Sequence, residues 1–113
     1  MLWRRMSADY CFRVTPRANL EPAAELFKVL SSASRLHLLC LLRDHPTTVG
    51  GLAEAAGLSQ PLVSQHLRTL RAAGLVAVVR HGREAEYSLA DAHVAHIVAD
   101  AVTHTLEEHV PLS

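Results

Sequence analysis

Apolar residues recur along most of the chain at the three- and four-residue spacing of amphipathic helices. A first helix is predicted over residues 21–31, since Pro22 lies in its first turn, where proline is tolerated. A second helix is predicted over residues 35–44, with Ser32 or Ser34 as its N-cap. The chain is therefore expected to be mainly α-helical.

Two further helices follow, separated by a short turn. The shorter helix is predicted to run to Ala56, with Thr47 or Thr48 as its N-cap and Gly57 as its stop. The longer helix is predicted over residues 60–73. Two helices joined by a turn of about three residues indicate a helix-turn-helix.

The hydrophobic period changes after the fourth helix. Residues 75–80 and 85–89 alternate in part between apolar and polar side chains, and residues 81–83 between them predict the exposed tip of a β-hairpin. Asp91 is the predicted N-cap of a last helix that runs to about His109. The expected fold is mainly α with a small β-hairpin, a winged helix-turn-helix.

A chain of 113 residues is long enough for one domain with a single packed core. We expect residues 21–113 to form that domain and residues 1–20 to form an arm or a short helix before it. The longest apolar run, residues 36–42, is far shorter than the roughly 20 residues that cross a bilayer. With no secretory signal pattern at the N-terminus, the expected location is the cytoplasm, without a membrane partner.

Charge is distributed unevenly, although the formal net charge is zero. No acidic residue occurs between Ala55 and Arg83, whereas no lysine or arginine occurs from Glu84 onwards. Because DNA affinity depends on contacts between basic side chains and phosphates, the acid-free stretch predicts a DNA-binding face. The acidic C-terminal stretch predicts a different role for the last helix.

The helix predicted over residues 60–73 places Val63, Leu67 and Leu70 on one face and polar side chains opposite. Glutamine, serine and arginine can read base edges in the major groove, and a basic hairpin tip can reach the flanking backbone or minor groove. The predicted DNA-contacting residues are Ser59, Gln60, Ser64, Gln65, His66, Arg68, Arg80, His81 and Arg83. An ordinary solvated helix is the alternative, which the turn, the basic hairpin and the missing acids together disfavour.

This pattern resembles the ArsR/SmtB family of winged-helix metal-sensing repressors. The matching residues are 33–39 (ASRLHLL), 52–54 (LAE), 59–67 with 70, 74–76 (GLV), 82–83, 87–89 (YSL) and the last helix. The resemblance covers residues 22–109. It implies five helices with a wing between the fourth and the fifth, dimerisation through the terminal helices, and repression that an inducer releases. It implies a binding protein for double-stranded operator DNA, not an enzyme.

Four side chains of the last helix can ligate a transition metal, namely Asp91, His93, His104 and Glu107. The two histidines share one helix face but lie about 16 Å apart, so one helix cannot bring them to one ion. Two antiparallel copies would bring the first pair of one chain to the second pair of the other. The family's C-terminal-helix site has the same arrangement of D-x-H, ten residues and H-x-x-E.

Two imidazoles and two carboxylates favour tetrahedral zinc. Cobalt fits the same donors and nickel would need more, a role open to His96 and His109. The expected function is therefore a homodimeric repressor that binds a palindromic operator and is released by zinc, cobalt or nickel.

The two cysteines, Cys11 and Cys40, allow an alternative inducing signal. A repressor of the same fold could sense oxidants or sulfide by forming a disulfide or persulfide link between two thiols. The family's thiolate site has no counterpart here, since residues 49–52 (VGGL) contain no cysteine. A metal-dependent hydrolase is disfavoured, because a catalytic metal needs an open coordination position in a concave pocket. A plain dimerisation module is disfavoured by the acid-free stretch.

Overall fold

The structure, a computed structural model, describes residues 17–107. The predictions for Cys11 and His109 lie outside the described residues. A 3₁₀ turn at Arg17–Leu20 precedes helix α1, Glu21–Leu30. The other helices are α2 (Ala33–Asp44), α3 (Val49–Ala56), α4 (Gln60–Ala72) and α5 (Ala92–Leu106), and the strands are β1 (Thr47–Thr48), β2 (Val76–His81) and β3 (Glu84–Leu89). The predicted order of five helices with a hairpin before the last is confirmed.

Side-chain caps decide where the helices begin. Ser32, rather than Ser34, caps α2, and Thr48, rather than Thr47, caps α3. Ser59 caps α4. Each hydroxyl accepts the backbone N–H three residues later, at 3.2, 3.1 and 3.3 Å respectively. These bonds satisfy N–H groups that have no partner inside the helix, so the start of each helix is encoded locally.

The sheet has one strand more than the sequence predicted. The hairpin of β2 and β3 is present, but β1 adds to it on the other edge of β3, with Thr47 opposite Tyr87 and Thr48 opposite Glu86. A strand of two residues carries no recognisable alternation, and its partner lies far away in sequence. Sequence periodicity therefore could not reveal it.

The turn of the hairpin is also tighter than predicted. His81 belongs to β2 and pairs with Glu84 at the start of β3, which leaves Gly82 and Arg83 as the turn. Gly82 has a φ of 64°, a left-handed conformation that glycine adopts without steric cost. The turn thus consists of two residues rather than the predicted three, while all three predicted tip residues are exposed.

The core is built around α2, which contacts α1, α3, α4, α5 and β3. Val63, Leu67 and Leu70 of α4 are at most 1% exposed, so the predicted inner face of that helix is confirmed. Leu38 and Leu39 of α2 are fully buried. No helix within residues 17–107 has the length and apolar character that a membrane span requires.

The last helix is shorter than predicted. It ends at Leu106, and Glu107 follows as its C-cap with an extended backbone, whereas the sequence pattern placed Glu107 inside the helix. The side chain of Leu106 is 78% exposed, so the final turn gains little from packing against the domain. Because helical turns without tertiary packing are marginal in water, the helix stops there.

Gly51→Ala is expected to destabilise the domain, while Gly50→Ala is not. A Cβ at Gly51 would collide with Oγ1 of Thr47, a β-branched side chain with little freedom to move. At Gly50 the nearest atom would be Nε2 of Gln60, at an ordinary 3.6 Å. Overpacking predicts a loss of about 1–3 kcal/mol for Gly51→Ala, against a gain of up to about 0.5 kcal/mol for Gly50→Ala.

Urea unfolding of the two variants measures this difference, with Gly50→Ala serving as the matched control. Equal unfolding free energies would contradict the close approach of α3 to β1.

Candidate DNA interface and metal centre

Helices α3 and α4 form the helix-turn-helix. Gly57 ends α3 in the left-handed region with a φ of 70°, and Ser59 caps α4 two residues later. The turn between the helices therefore comprises residues 57–59, the predicted length of about three. Pro61 lies in the first turn of α4, where a missing N–H costs nothing.

The side chains that the sequence selected on α4 divide into two groups. Gln60, Gln65 and Arg68 are exposed, whereas Ser64 and His66 are half-buried. Each of these two half-buried residues lies next to a core residue of α4, Ser64 after Val63 and His66 before Leu67. Ser59 is exposed, with its hydroxyl engaged in capping. The outer surface of α4 is polar and presents both amide and guanidinium groups.

The three residues predicted at the wing, Arg80, His81 and Arg83, are all exposed. His81 has an acidic neighbour, since its Nε2 lies 3.6 Å from Oε1 of Glu86 across the hairpin. Among residues 19–107, whose side chains the structure describes, no arginine takes part in an ion pair with a carboxylate. The arginine charges on α4 and the wing are therefore not neutralised by the described part of the chain. The sequence pattern did not reveal the pairing with Glu86, because it depends on the register of the hairpin.

The candidate metal ligands lie at the two ends of α5. Asp91 is the N-cap, and its Oδ1 accepts the N–H of Val94 at 3.0 Å. Nδ1 of His93 lies 3.7 Å from the same oxygen. The side chain of His93 is 90% exposed and that of Asp91 is 55% exposed. At the other end, His104 lies in the last turn and Glu107 is the C-cap, and both are exposed.

Within the described residues, no three His, Cys, Asp or Glu side chains come together. The spacing of His93 and His104, roughly 16 Å along the axis, accounts for this separation. Each end of α5 nonetheless offers one imidazole and one carboxylate. Asp91 can serve as a cap and as a ligand together, because a carboxylate has two oxygens and the cap uses one. The donors fit half of a tetrahedral shell at each end.

Apolar side chains are exposed on the terminal helices. Phe27 of α1 is 59% exposed and borders an apolar groove of about 180 Å³ between α1 and α5. Ile97 and Ala101 of α5 line the same groove, together with Leu36. An exposed aromatic ring beside an apolar groove is typical of an interaction site.

Together, the capped helix α4, the basic hairpin and the order of the five helices define a winged helix-turn-helix regulator of transcription. The pattern of the bacterial regulatory proteins of the arsR family matches residues 32–78. The chain is 46% identical over 95 residues to the transcriptional repressor SmtB of Mycobacterium tuberculosis, covering 84% of this chain and 70% of that protein. It is 44% identical over 90 residues to the transcriptional regulator NmtR of the same organism, covering 80% and 75%. The protein belongs to the arsR family.

A solved structure supports the same assignment. The homodimeric winged helix-turn-helix DNA-binding domain of Mb0332 from Mycobacterium bovis superposes with a TM-score of 0.75 at 30% identity, covering 85% of this chain and 92% of that one. The family, the fold and the role as a DNA-binding regulator rather than an enzyme are thus confirmed. The DNA-reading residues and the four metal ligands stay predictions.

Proposed function

We propose that this protein is a homodimeric repressor that binds a palindromic operator in the cytoplasm and is released when metal occupies two sites shared between the protomers. The observation that carries the proposal is the placement of one histidine and one carboxylate at each end of α5. Each pair is exposed and incomplete as a shell for zinc. An antiparallel partner helix would supply the missing two donors.

The terminal helices support the dimer. The groove between α1 and α5 and the exposed ring of Phe27 form an apolar face that a second copy of the chain would cover. Ala95 and Ala99 lie half-buried on α5 and keep its surface low enough for close approach of another helix. The unit proposed for dimerisation is the domain of residues 21–113.

DNA binding is assigned to the outer surface of α4 and to the wing. Two copies of α4, held about 34 Å apart by the dimer, would enter successive major grooves of one operator. Gln60 and Gln65 present amide groups that can read base edges there, Arg68 can hold a phosphate or a guanine, and Arg80 and Arg83 would contact the flanking backbone.

Asp91, His93, His104 and Glu107 would hold zinc, or cobalt with the same donors. The metal would supply a fixed tetrahedral geometry that couples the two α5 helices. Since α5 packs against α2, a change in the position of α5 alters the distance between the recognition helices through the core. Bound metal would then lower the affinity for the operator, and bound operator would lower the affinity for the metal by the same factor.

Zinc is expected to lower operator affinity by about 5–150-fold, the usual range of allosteric coupling. The operator is first selected from a random duplex library with chelated protein, and affinity is then measured by fluorescence anisotropy with a chelator or with excess zinc. Reciprocity requires that the operator weaken zinc binding by the same factor. Equal affinity under both conditions would exclude metal sensing. A Cys40→Ser variant that keeps the zinc response would exclude thiol sensing.

A further inference from the structure

A polar depression of about 580 Å³ lies between α4 and the central strand β3. Its lining side chains include Ser64, Arg68 and Arg71 from successive turns of α4 and Tyr87 from β3. The buried side chain of Leu67 forms part of its wall. The depression thus joins the flank of the recognition helix to the base of the wing.

The four polar side chains that line this depression can all donate hydrogen bonds. The two guanidinium groups of Arg68 and Arg71 carry positive charge and accept nothing, and the hydroxyls of Ser64 and Tyr87 can both donate. Like charges three residues apart on a helix repel each other. Within residues 17–107, neither arginine meets a carboxylate, and the Tyr87 hydroxyl has no hydrogen-bond partner. A cavity with two uncompensated cations and two hydroxyl donors matches a phosphate in both charge and hydrogen bonding.

The position of the depression indicates the source of that phosphate. It lies on the side of α4 that faces the hairpin, so a DNA strand running between recognition helix and wing passes over it. We propose that Arg71 and Tyr87, with Arg68 and Ser64, bind one phosphate of the DNA backbone and set the orientation of α4 in the major groove. This proposal rests on the proposed DNA binding and adds two residues to it.

Neither Arg71 nor Tyr87 is among the DNA-contacting residues that the sequence pattern predicts. Arg71 lies in the acid-free stretch, and that charge pattern was the signal that could have identified it. Tyr87 gave no such signal, since only the pairing of β2 and β3 brings the strand beside α4. In this assignment Arg68 contributes affinity rather than sequence discrimination, because phosphate contacts position a protein without reading bases.

Arg71→Gln and Tyr87→Phe test the proposal, with Arg43→Gln on exposed α2 surface as the control for losing one charge. The probes are a duplex selected by the chelated wild-type protein and a scrambled duplex of equal length. Arg71→Gln and Tyr87→Phe are each expected to weaken binding to both duplexes roughly tenfold or more, because each variant loses a hydrogen bond to a charged group. The ratio of the two affinities should stay unchanged.

Salt dependence and a modified duplex separate a phosphate contact from a merely structural effect. For Arg71→Gln the slope of log K against log salt is expected to shrink by about 0.9 for each protomer on the DNA, and for Arg43→Gln not at all. One neutral methylphosphonate per strand should weaken binding by the wild type at a single position and weaken Arg71→Gln less at that position, because only Arg68, Ser64 and Tyr87 still contact the phosphate there.

Two results overturn the proposal: an unchanged salt slope in Arg71→Gln, or a methylphosphonate effect equal in the variant and the wild type. If the wild-type protein binds no duplex selectively, the proposed function fails as well. If the wild-type protein binds a duplex selectively and Arg71→Gln binds it equally well, only the proposed phosphate site is excluded.

Discussion

Replacing His104 with alanine is expected to abolish the effect of zinc on operator binding while leaving the affinity of the chelated protein unchanged. His104 lies at the C-terminal end of α5, far from the recognition helix in sequence, and is exposed. In the proposed site it is one of four ligands, and a zinc site with three protein ligands keeps an open position instead of closing around the ion. The ratio of operator affinities without and with zinc, about 5–150 in the wild type, should therefore fall close to one in this variant.

Cobalt provides the direct measurement, because tetrahedral cobalt absorbs visible light strongly and higher-coordinate cobalt weakly. The wild-type dimer should show intense bands, and His104→Ala should lose them. His96→Ala is the matched control, an exposed histidine on the same helix outside the four-ligand set. Loss of the bands in His96→Ala would show that the set is wrong, and retention in His104→Ala would remove that residue from the site.

Phe27→Asp is expected to separate the protomers and to eliminate both functions together. The ring is more than half exposed on the apolar face of α1, beside the groove that α5 completes. A carboxylate buried in such an interface without a partner is strongly unfavourable. A monomer presents one recognition helix instead of two, so operator affinity should fall by about 10²–10⁴-fold with the loss of bivalent binding.

Sedimentation measures the state of assembly, and the cobalt spectrum measures the site in the same sample. Val79→Asp is the control for placing a charge at an exposed apolar position, because Val79 lies on β2, away from the terminal helices. It should leave the dimer and the spectrum intact. A Phe27→Asp monomer that still shows tetrahedral cobalt would contradict the shared site, since one α5 keeps its two ligand pairs about 16 Å apart.

Local chemistry explains why so much of the fold follows from the sequence. The N-caps at Ser59 and Asp91 and the stop at Gly57 act on neighbouring backbone groups, so short windows of sequence encode them. The inner face of α4 follows equally from its periodicity, because burial of a few leucines and valines decides which side of a helix faces the core.

Features that depend on contacts between distant segments were not predictable in this way. The strand β1 exists because Thr47 and Thr48 meet the far edge of β3, and the depression below the wing exists because Tyr87 lies beside α4. The end of α5 likewise depends on how far the helix remains packed against the domain.

The chain by itself determined the helix order, the caps at Ser59 and Asp91, the acid-free stretch between residues 55 and 83 and the spacing of the four candidate ligands. Those properties depend on residues that are close in sequence, or on the distribution of charged residues along the chain, which can be read without the fold. Only the tertiary structure decided that β1 joins the sheet, that Tyr87 lies beside α4 and that α5 ends at Leu106. The physical reason is that these features depend on packing between segments that are far apart in the sequence, and local hydrophobic periodicity does not report such contacts.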